Sequence, residues 1–426
     1  MKKYKLLFFV ELYLLITILI YYFGPVNFHG HNSILFFFLL IFYHLSFILG
    51  YVIFINVYSV GFKEGSIKLS KKFFYVSFFF GLVGVLNTYQ NLMLGESFIP
   101  YDFFSDFVKG IQEPGLVYAE RMSILLNRDV SSSRLFNVLS IFFSFYKLLF
   151  IFIFIYFWKD LTLIERVFSI LYSFLFLSCG ISSGTNSVIF IFMIFSFSSY
   201  LVVLYMRGKG FLRAVFILGV LFLIPVGMFG YLMSKRGGGF DYFFGTSPLG
   251  DITVSVATPD FNGILDFYYY SFVWLNYYLV QGYYGFSLIL NMNWNWTYGF
   301  GNSAFLQRQL EVITGVDISK DTFQARISPY WDENAQWHSF YGQIANDVGF
   351  IGVGVVMFLL GGMLACIWKS VLYKSSFYGV ALLPIYILLL IFIPANNQVF
   401  GYIDTLSYFV FVSILWFFEG KKVRFR

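Results

Sequence analysis

One histidine of this sequence lies apart from the other three, close to groups that can assist it in chemistry. His338 comes directly after the run Trp331 to Trp337, which contains Asp332 and Glu333. An imidazole has an ordinary pKa of about 6.5, so at neutral pH it can accept a proton from a hydroxyl group. We therefore predict that His338 is a general base. Asp332 or Glu333 would orient its ring or act as the base instead, and a loop histidine without a function is the alternative.

The cations of the same region are few. Between residues 234 and 347 five lysines and arginines stand against ten acids, a net charge of −5, which excludes a general anion-binding surface. Arg236 precedes three glycines, whose free backbone amides can form an anion-binding nest beside the guanidinium. This arrangement predicts a diphosphate site at the membrane surface. A snorkelling cation followed by a flexible glycine hinge is the alternative.

Five of the eight tryptophans also fall between residues 234 and 347, among many Tyr and Asn residues. The apolar face of a sugar ring can lie on an aromatic ring while amides and carboxylates bind its hydroxyls. The pattern therefore favours a carbohydrate site, with Trp331 and Trp337 as candidates. For Trp294 and Trp296 an aromatic belt at the membrane surface is an equal alternative.

The elements that must position these residues are apolar helices. Of the 426 residues, 59% are hydrophobic and 12% are charged, and the mean hydropathy is +0.75, whereas an ordinary soluble domain has roughly 25% charged residues. The apolar runs are about 20 residues long, which is the length of a membrane-spanning helix. They do not alternate with polar residues, so an outer-membrane barrel is excluded. The sequence predicts an all-α integral membrane protein.

We predict ten spanning helices. They cover residues 6–23, 33–57, 73–94, 135–158, 164–182, 187–206, 211–233, 348–368, 377–394 and 398–418. If both termini are cytoplasmic, 18 of the 28 Lys and Arg residues lie on the cytoplasmic side, as the positive-inside rule requires.

This topology divides the chain into three parts. Residues 1–233 contain seven helices and an outer loop at 96–134, residues 234–347 form a large outer segment, and residues 348–426 contain three helices and a basic cytoplasmic tail. If a further apolar stretch, 265–290, crossed the membrane, the basic carboxyl-terminal tail would lie on the outer side, against the positive-inside rule. We therefore predict a re-entrant or interfacial segment there. Lys147 and His44 fall inside predicted spans, where a charge faces either a partner in the bundle or a wet cavity.

The run from His338 to Gly352 resembles a motif of the O-antigen polymerase and O-antigen ligase group. In that group a His, usually followed by Asn, precedes an acid by nine residues and a Gly by eleven. Asp347 and Gly349 match these positions, whereas Ser339 replaces the Asn. The helix count and the large outer segment before the motif are also similar.

The resemblance implies a glycosyltransferase of the bacterial inner membrane that uses undecaprenyl-diphosphate-linked oligosaccharides as donor and acceptor on the periplasmic side. It implies His338 as the base, Asp347 in the substrate site, and outer arginines on the diphosphate. The group often has an Arg between its fifth and sixth helices, where this chain has none, so Arg236, Arg326 and Arg308 would bind the diphosphate. A regulator of polysaccharide chain length is an expected partner. Neither a metal, a cofactor nor a nucleic acid is expected.

The leading hypothesis is a polymerase of oligosaccharide repeat units. An O-antigen ligase, which delivers the glycan to a lipid A core, runs similar chemistry and is the nearest alternative. A flippase for lipid-linked sugars predicts few residues outside the membrane, whereas this chain has a large outer segment. A dolichol-phosphate type of transferase predicts acids in the first outer loop, and residues 24–32 contain no Asp or Glu.

Overall fold

The computed structural model of the protein describes residues 2–28, 30, 33–57, 69–93, 102–127, 134–208, 210–236, 252–254, 263–333 and 335–424. The α-helices of these residues are α1 (Lys5–Phe23), α2 (Ser33–Val57), α3 (Lys71–Met93), α4 (Phe103–Gln112), α5 (Pro114–Asn127), α6 (Arg134–Tyr156), α7 (Leu163–Ser182), α8 (Asn186–Arg207), α9 (Phe211–Leu221), α10 (Leu223–Ser234), α11 (Ile264–Ile289), α12 (Ala304–Thr314), α13 (Phe323–Ile327), α14 (Phe340–Leu372), α15 (Phe377–Phe392) and α16 (Ile403–Arg424). Short 3₁₀ helices occur at Lys2–Tyr4 and Ser319–Asp321. Strands β1 (Val26–Phe28) and β2 (Ile252–Val254) pair antiparallel, with Val26 opposite Val254.

Seven helical stretches of the described residues are long and apolar enough to cross a membrane. They are Lys2–Phe23, Ser33–Val57, Lys71–Gln90, Leu163–Ser182, Asn186–Arg207, Arg213–Ser234 and Phe340–Leu372. The chain is therefore an all-α, multi-pass membrane protein, as its composition predicts. Two shorter apolar helices, Phe143–Tyr156 and Phe377–Phe392, and the helix α16 occupy the other three predicted spans. The count of ten spans stays a prediction.

The helices pack into one bundle through several long contacts. Helix α2 lies along α14, α3 packs on α6, and α6 in turn packs on α16, while α15 lies against both α8 and α16. The contact of α2 with α14 depends on glycines, because a Cβ at Gly50 or Gly361 would collide with the backbone of the other helix. This agrees with the role of small residues in membrane helix contacts.

A break in α14 lies near the predicted start of its span. Gly349 has φ 67° and ψ 169°, a conformation that is essentially restricted to glycine, so the helix changes direction there. Side chains satisfy backbone carbonyls on both sides of the break. The indole of Trp294 donates to Asn346 O at 2.8 Å, and the Tyr43 hydroxyl donates to Phe350 O at 2.8 Å. Trp294 thus supports the break, whereas Trp296 is exposed and packs on Tyr298.

Helix α11 occupies the stretch 265–290 that we predicted to be interfacial or re-entrant. The helix packs on α1 and α10, since Tyr283 bonds to Thr17 and Ser271 lies against Gly230. Its interfacial or re-entrant position stays a prediction. The glycines 237–239 of the predicted anion nest lie outside the described residues.

Lys147 has a partner inside the bundle. Its Nζ bonds to the Asp404 carboxylate of α16 and to Thr88 Oγ1 of α3, the latter at 2.7 Å, and only 3% of the residue is exposed. The ammonium also lies 5.2 Å from the centre of the Phe176 ring. Lys147 therefore links α6 to α16 by an ion pair and to α3 by a hydrogen bond, so it has a structural partner inside the bundle. His44 is also paired, since its Nδ1 lies 2.7 Å from Glu11 Oε2.

We expect Lys147→Met to lower the free energy of unfolding by roughly 3 kcal/mol, because removing one partner leaves the other charge uncompensated. The double variant Lys147→Met/Asp404→Leu should recover much of this loss. Lys109→Met is the matched control, since Lys109 and Glu120 form an exposed pair worth less than about 1 kcal/mol. Thermal unfolding in detergent measures all of these variants, and equal shifts for Lys147→Met and Lys109→Met would contradict the assignment.

Candidate functional site

A cavity of about 760 Å³ lies at one end of the bundle. The first residues of α8 and α14 and the last residues of α10 and α15 lie at this end of the bundle. Residues within 118–122 and 275–338 complete the walls. Part of the lining is apolar and part is rich in amides, and its charged residues among the described part of the chain are Arg121, Arg236 and Glu333.

His338 lines this cavity and lies two residues before the start of α14. The backbone around it is anchored, because Ser339 N donates to Gly282 O at 3.1 Å and Phe340 N donates to Ile393 O at 2.9 Å. Gly282 allows this close approach, since a Cβ there would lie 2.6 Å from Ser339 N. These two bonds, to Gly282 of α11 and to Ile393 just after α15, hold the backbone next to His338 in position.

The His338 ring is only 3% exposed, and neither of its nitrogens has a hydrogen-bond partner among the described residues. Burial lowers the pKa of His338 to about 3, so the ring is neutral at physiological pH. One nitrogen of a neutral imidazole has a free lone pair. The ring therefore holds a proton acceptor that no described residue occupies.

Of the two predicted acids, Glu333 lines the cavity with His338 and Asp332 does not. Desolvation raises the pKa of Glu333, and the neighbouring charge of Asp332 raises it further. Both residues are exposed at the surface, and Asp332 accepts a hydrogen bond from Ser328 Oγ at 3.5 Å. Glu333 is thus the carboxylate that can exchange protons with a group in the cavity.

Two arginines from distant parts of the chain face the cavity together. Arg236 follows α10, and its guanidinium lies 3.9 Å from the centre of the Tyr118 ring of α5. Arg121 lies one turn further along α5. Burial lowers the pKa of both residues, and the nearby Arg236 lowers the pKa of Arg121 further. Arginine nevertheless stays protonated in proteins.

Neither guanidinium has a counterion among the described residues. Both residues are half-buried, and Nε of Arg121 and both Nε and Nη2 of Arg236 have no hydrogen-bond partner within the described part of the chain. Two adjacent, half-buried cations favour an anion with several oxygen atoms, such as a diphosphate.

The other two predicted arginines do not line the cavity. Arg326 donates to Asn293 O at 2.7 Å, and its guanidinium lies 5.6 Å from the centre of the Phe323 ring. Arg308 is exposed on α12. Of the three predicted arginines, Arg236 is therefore the one that lines the same cavity as His338.

Among the predicted aromatic residues, Trp337 lines the cavity and packs edge to face on Tyr278, with 4.9 Å between ring centres. Trp331 is buried behind it and donates from its indole to Trp337 O at 3.0 Å. Trp331 also packs on Tyr284 of α11. Trp337 can thus contact a ligand directly, whereas Trp331 supports the segment that carries Trp337 and His338.

Asp347 is buried and its carboxylate is fully engaged. It accepts hydrogen bonds from Thr297 Oγ1 at 2.6 Å, Gly301 N at 2.8 Å, and both the backbone and the side chain of Asn302 at 3.0 and 2.6 Å. Gly301 and Asn302 line the cavity, but Asp347 does not. The acid of the motif therefore holds the loop 297–302 in place.

We expect Asp347→Ala to lower the free energy of unfolding by more than about 3 kcal/mol, because bonds to a charged acceptor contribute about 1.5–3 kcal/mol each. Asp321→Ala removes an exposed acid from the same outer segment and serves as the control. Thermal unfolding in detergent, together with protease resistance of residues 263–347, measures the effect. Lost activity with unchanged stability would instead support the direct contact with substrate that the motif implies.

Four further polar residues line the cavity but were not predicted from the sequence: Arg121, Asn396, Asn397 and Gln398. A signal existed for the amides, since three consecutive polar residues separate two long apolar runs. For Arg121 the signal was weaker, because residues 96–134 contain several cations of equal standing.

We found no match to this chain among models of known protein families, among curated proteins or among solved structures. The class of the protein is therefore defined by its fold and its cavity. The protein is a multi-pass, all-α membrane protein with a partly polar cavity at one end of its bundle.

Proposed function

We propose that the protein is a membrane glycosyltransferase that polymerises oligosaccharide repeat units linked to undecaprenyl diphosphate. The observation that carries this proposal is the composition of one cavity. It combines two arginines that have no counterion among the described residues, a buried neutral histidine, an amide-rich wall and an apolar wall. A lipid-linked sugar diphosphate has a matching group for each of these features.

The apolar wall is formed by α8, α11 and the junction of α9 and α10. Phe190 and Ile194 lie on α8, Phe222 separates α9 from α10, and Leu275 and Leu279 lie on α11. A prenyl chain can lie along these residues, since burial of each methylene contributes about 0.8 kcal/mol. Arg121 and Arg236 then bind the diphosphate, and Trp337 and the amides bind the sugars.

Within this arrangement the transfer needs a base and a stabilised leaving group. The acceptor hydroxyl gives its proton to His338, and its oxygen forms a bond to the anomeric carbon of the donor. The carbon–oxygen bond to the diphosphate breaks, and the electron pair leaves with the lipid diphosphate beside Arg121 and Arg236. The negative charge of the bound donor raises the pKa of His338 from its low value in the empty cavity. Glu333 can take up the proton afterwards.

The same proposal includes the location of the protein. Basic residues at the ends opposite the cavity favour a cytoplasmic position for both termini in the bacterial inner membrane. The cavity then opens on the periplasmic side, where lipid-linked repeat units are polymerised. The lipid bilayer and a regulator of chain length are the other proposed partners, and the departing diphosphate drives the reaction without a metal or a nucleotide cofactor.

The test is deletion of the gene in the strain that encodes this chain, followed by complementation and analysis of lipopolysaccharide on a gel. A polymerase predicts a core with single repeats in the deletion strain and a ladder after complementation. A core without any repeat would instead indicate a ligase or a flippase. An unchanged ladder in the deletion strain would remove the proposed function.

A further inference from the structure

A second, smaller cavity of about 350 Å³ lies at the other end of α8. Asn186, the first residue of α8, lines the large cavity, whereas Arg207, its last residue, lines the smaller one. Because α8 has 22 residues, its ends lie about 33 Å apart, close to the thickness of the hydrocarbon core of a bilayer. The two cavities therefore lie at opposite ends of a helix that is long and apolar enough to span the membrane.

The walls of the smaller cavity come from one face of α8 and from the end of α6. The residues from α8 are spaced four and three positions apart, so they share one face of the helix: Tyr200, Leu204 and Arg207. The residues from α6 and the turn after it are Ile155, Trp158 and Lys159. The cavity thus lies where two packed helices end at the same end of the bundle.

Both charged residues that line the smaller cavity in the described part of the chain are cations. Lys159 and Arg207 are exposed, and neither forms an ion pair with another described residue. Arg207 Nη2 donates to a neutral group, Tyr156 O, at 3.1 Å, so the guanidinium is held in place while its charge stays uncompensated. Arg166 of α7 is a third cation nearby, since its Nη2 donates to Lys159 O at 3.5 Å. The ligand that complements this charge is an anion.

The acids of the same region do not cancel the positive charge. Glu165 is buried, and its carboxylate accepts from Thr162 N at 2.8 Å and lies 4.0 Å from Lys71 Nζ. Asp160 is exposed and does not line the cavity. Because Glu165 is paired with Lys71, only one exposed acid stands against three cations among these residues.

The rest of the lining is apolar or aromatic. Ile155 and Leu204 provide aliphatic surface, and the side chains of Trp158 and Tyr200 are 38% and 44% exposed. Trp and Tyr are enriched at the boundary between hydrocarbon and headgroups, where basic side chains also reach towards phosphates. A ligand with a phosphate and an acyl chain can cover both parts of this lining, whereas a free phosphate would leave the apolar part uncovered.

We propose that the smaller cavity is a binding site for an anionic phospholipid, such as phosphatidylglycerol or cardiolipin. The lipid phosphate pairs with Lys159 and Arg207, and an acyl chain lies along Ile155 and Leu204. The bound lipid joins the end of α6 to the end of α8 and so stabilises this end of the bundle. The site lies at the far end of α8 from the large cavity, and it does not depend on the proposed function.

The first test measures lipid binding to the purified, full-length protein by native mass spectrometry in an uncharged detergent. We expect phosphatidylglycerol to bind about 10-fold more tightly, or better, than phosphatidylcholine with the same acyl chains, because only the former carries a net negative charge. Equal binding of the two lipids would overturn the proposal. Displacement of phosphatidylglycerol by inorganic phosphate at an equal concentration would also overturn it, since the site would then bind the anion alone.

The second test locates the site with variants. Lys159→Gln should weaken the binding of phosphatidylglycerol by about 5-fold, and Lys159→Gln/Arg207→Gln by about 25-fold, because each basic residue contributes about a factor of five to the attraction of an anionic lipid. The melting temperature without added lipid should not change for Lys159→Gln, which removes no ion pair.

The matched control is Lys72→Gln/Lys374→Gln, which removes the same charge from two exposed lysines that do not line the smaller cavity. This variant should bind phosphatidylglycerol as the native protein does. Equal losses of affinity in the two double variants would show attraction to the net charge of the protein and would overturn the site.

Discussion

Arg121→Gln and Arg236→Gln are each expected to lower the rate of polymer synthesis by about 100-fold or more. Removal of one preorganised group that stabilises developing negative charge costs about 10²–10³ in rate, and the two half-buried guanidiniums lie near each other without a counterion among the described residues. Glutamine keeps a polar side chain but removes the positive charge. The length and amount of the lipopolysaccharide ladder, normalised to protein in the membrane, give the measurement.

The chain supplies its own controls for this prediction. Arg308→Gln and Arg326→Gln remove the same charge from the outer segment, but neither residue lines the cavity. Both variants should retain a normal ladder. Activity lost in Arg308→Gln and Arg326→Gln but kept in Arg121→Gln would show that the diphosphate binds elsewhere.

Lysine substitutions separate charge from geometry at the same positions. Lysine keeps the positive charge but lacks the planar fork that binds two oxygens at once, and it does not stack on an aromatic ring in the same way. Arg236 lies over Tyr118, so Arg236→Lys loses both the fork and this contact. We expect Arg236→Lys to retain an intermediate activity, above that of Arg236→Gln.

His338→Gln is expected to lower polymer synthesis by about 100- to 10,000-fold, the range for loss of a general base. Glutamine approximates the size and polarity of the ring but cannot take the proton of the acceptor hydroxyl. The readout is again the ladder, at equal membrane levels of the protein. His44→Gln is the comparison, because His44 pairs with Glu11 and does not line the cavity.

The burial of His338 also has a consequence for stability that does not depend on activity. The folded pKa of about 3 lies below the ordinary value of about 6.5, so the unfolded chain binds a proton below pH 6.5 that the folded protein does not. The free energy of unfolding therefore falls as the pH drops below 6.5, by up to about 1.4 kcal/mol per pH unit.

This loss should be smaller in His338→Gln, which has no imidazole to protonate. Melting temperatures of both proteins in detergent at pH 7.5 and 5.5 make the comparison. An equal decrease in both proteins would show that the ring of His338 is accessible to protons in the folded state.

Local sequence pattern predicted the helices well because each apolar run must satisfy its own backbone hydrogen bonds inside a membrane. The expected starts and ends of the first three spans lie within a few residues of α1, α2 and α3. Gly349 lies where a span was predicted to begin, and the structure has a helix break there. The segment 265–290 was recognised as apolar, but its contacts with α1 and α10 could not be read from its composition.

The fold separates the predicted site residues into those that line the cavity and those that do not. His338, Glu333, Trp337 and Arg236 meet at one cavity, whereas Asp347 holds a loop and Arg326 and Arg308 lie outside the lining. The local sequence around a charged loop residue does not show whether its side chain faces a cavity, a loop backbone or solvent. Only the packing of neighbouring segments distinguishes these cases.

The sequence by itself determined that this is an all-α membrane protein and indicated the region around His338, because span length, charge asymmetry and residue chemistry are local properties. The tertiary structure alone brought Arg121 near Arg236, more than 100 residues away, and left both without a counterion among the described residues. It also placed both arginines in the lining of the same cavity as His338. Such pairings depend on which helix ends meet at one face of the bundle, and long-range packing decides this.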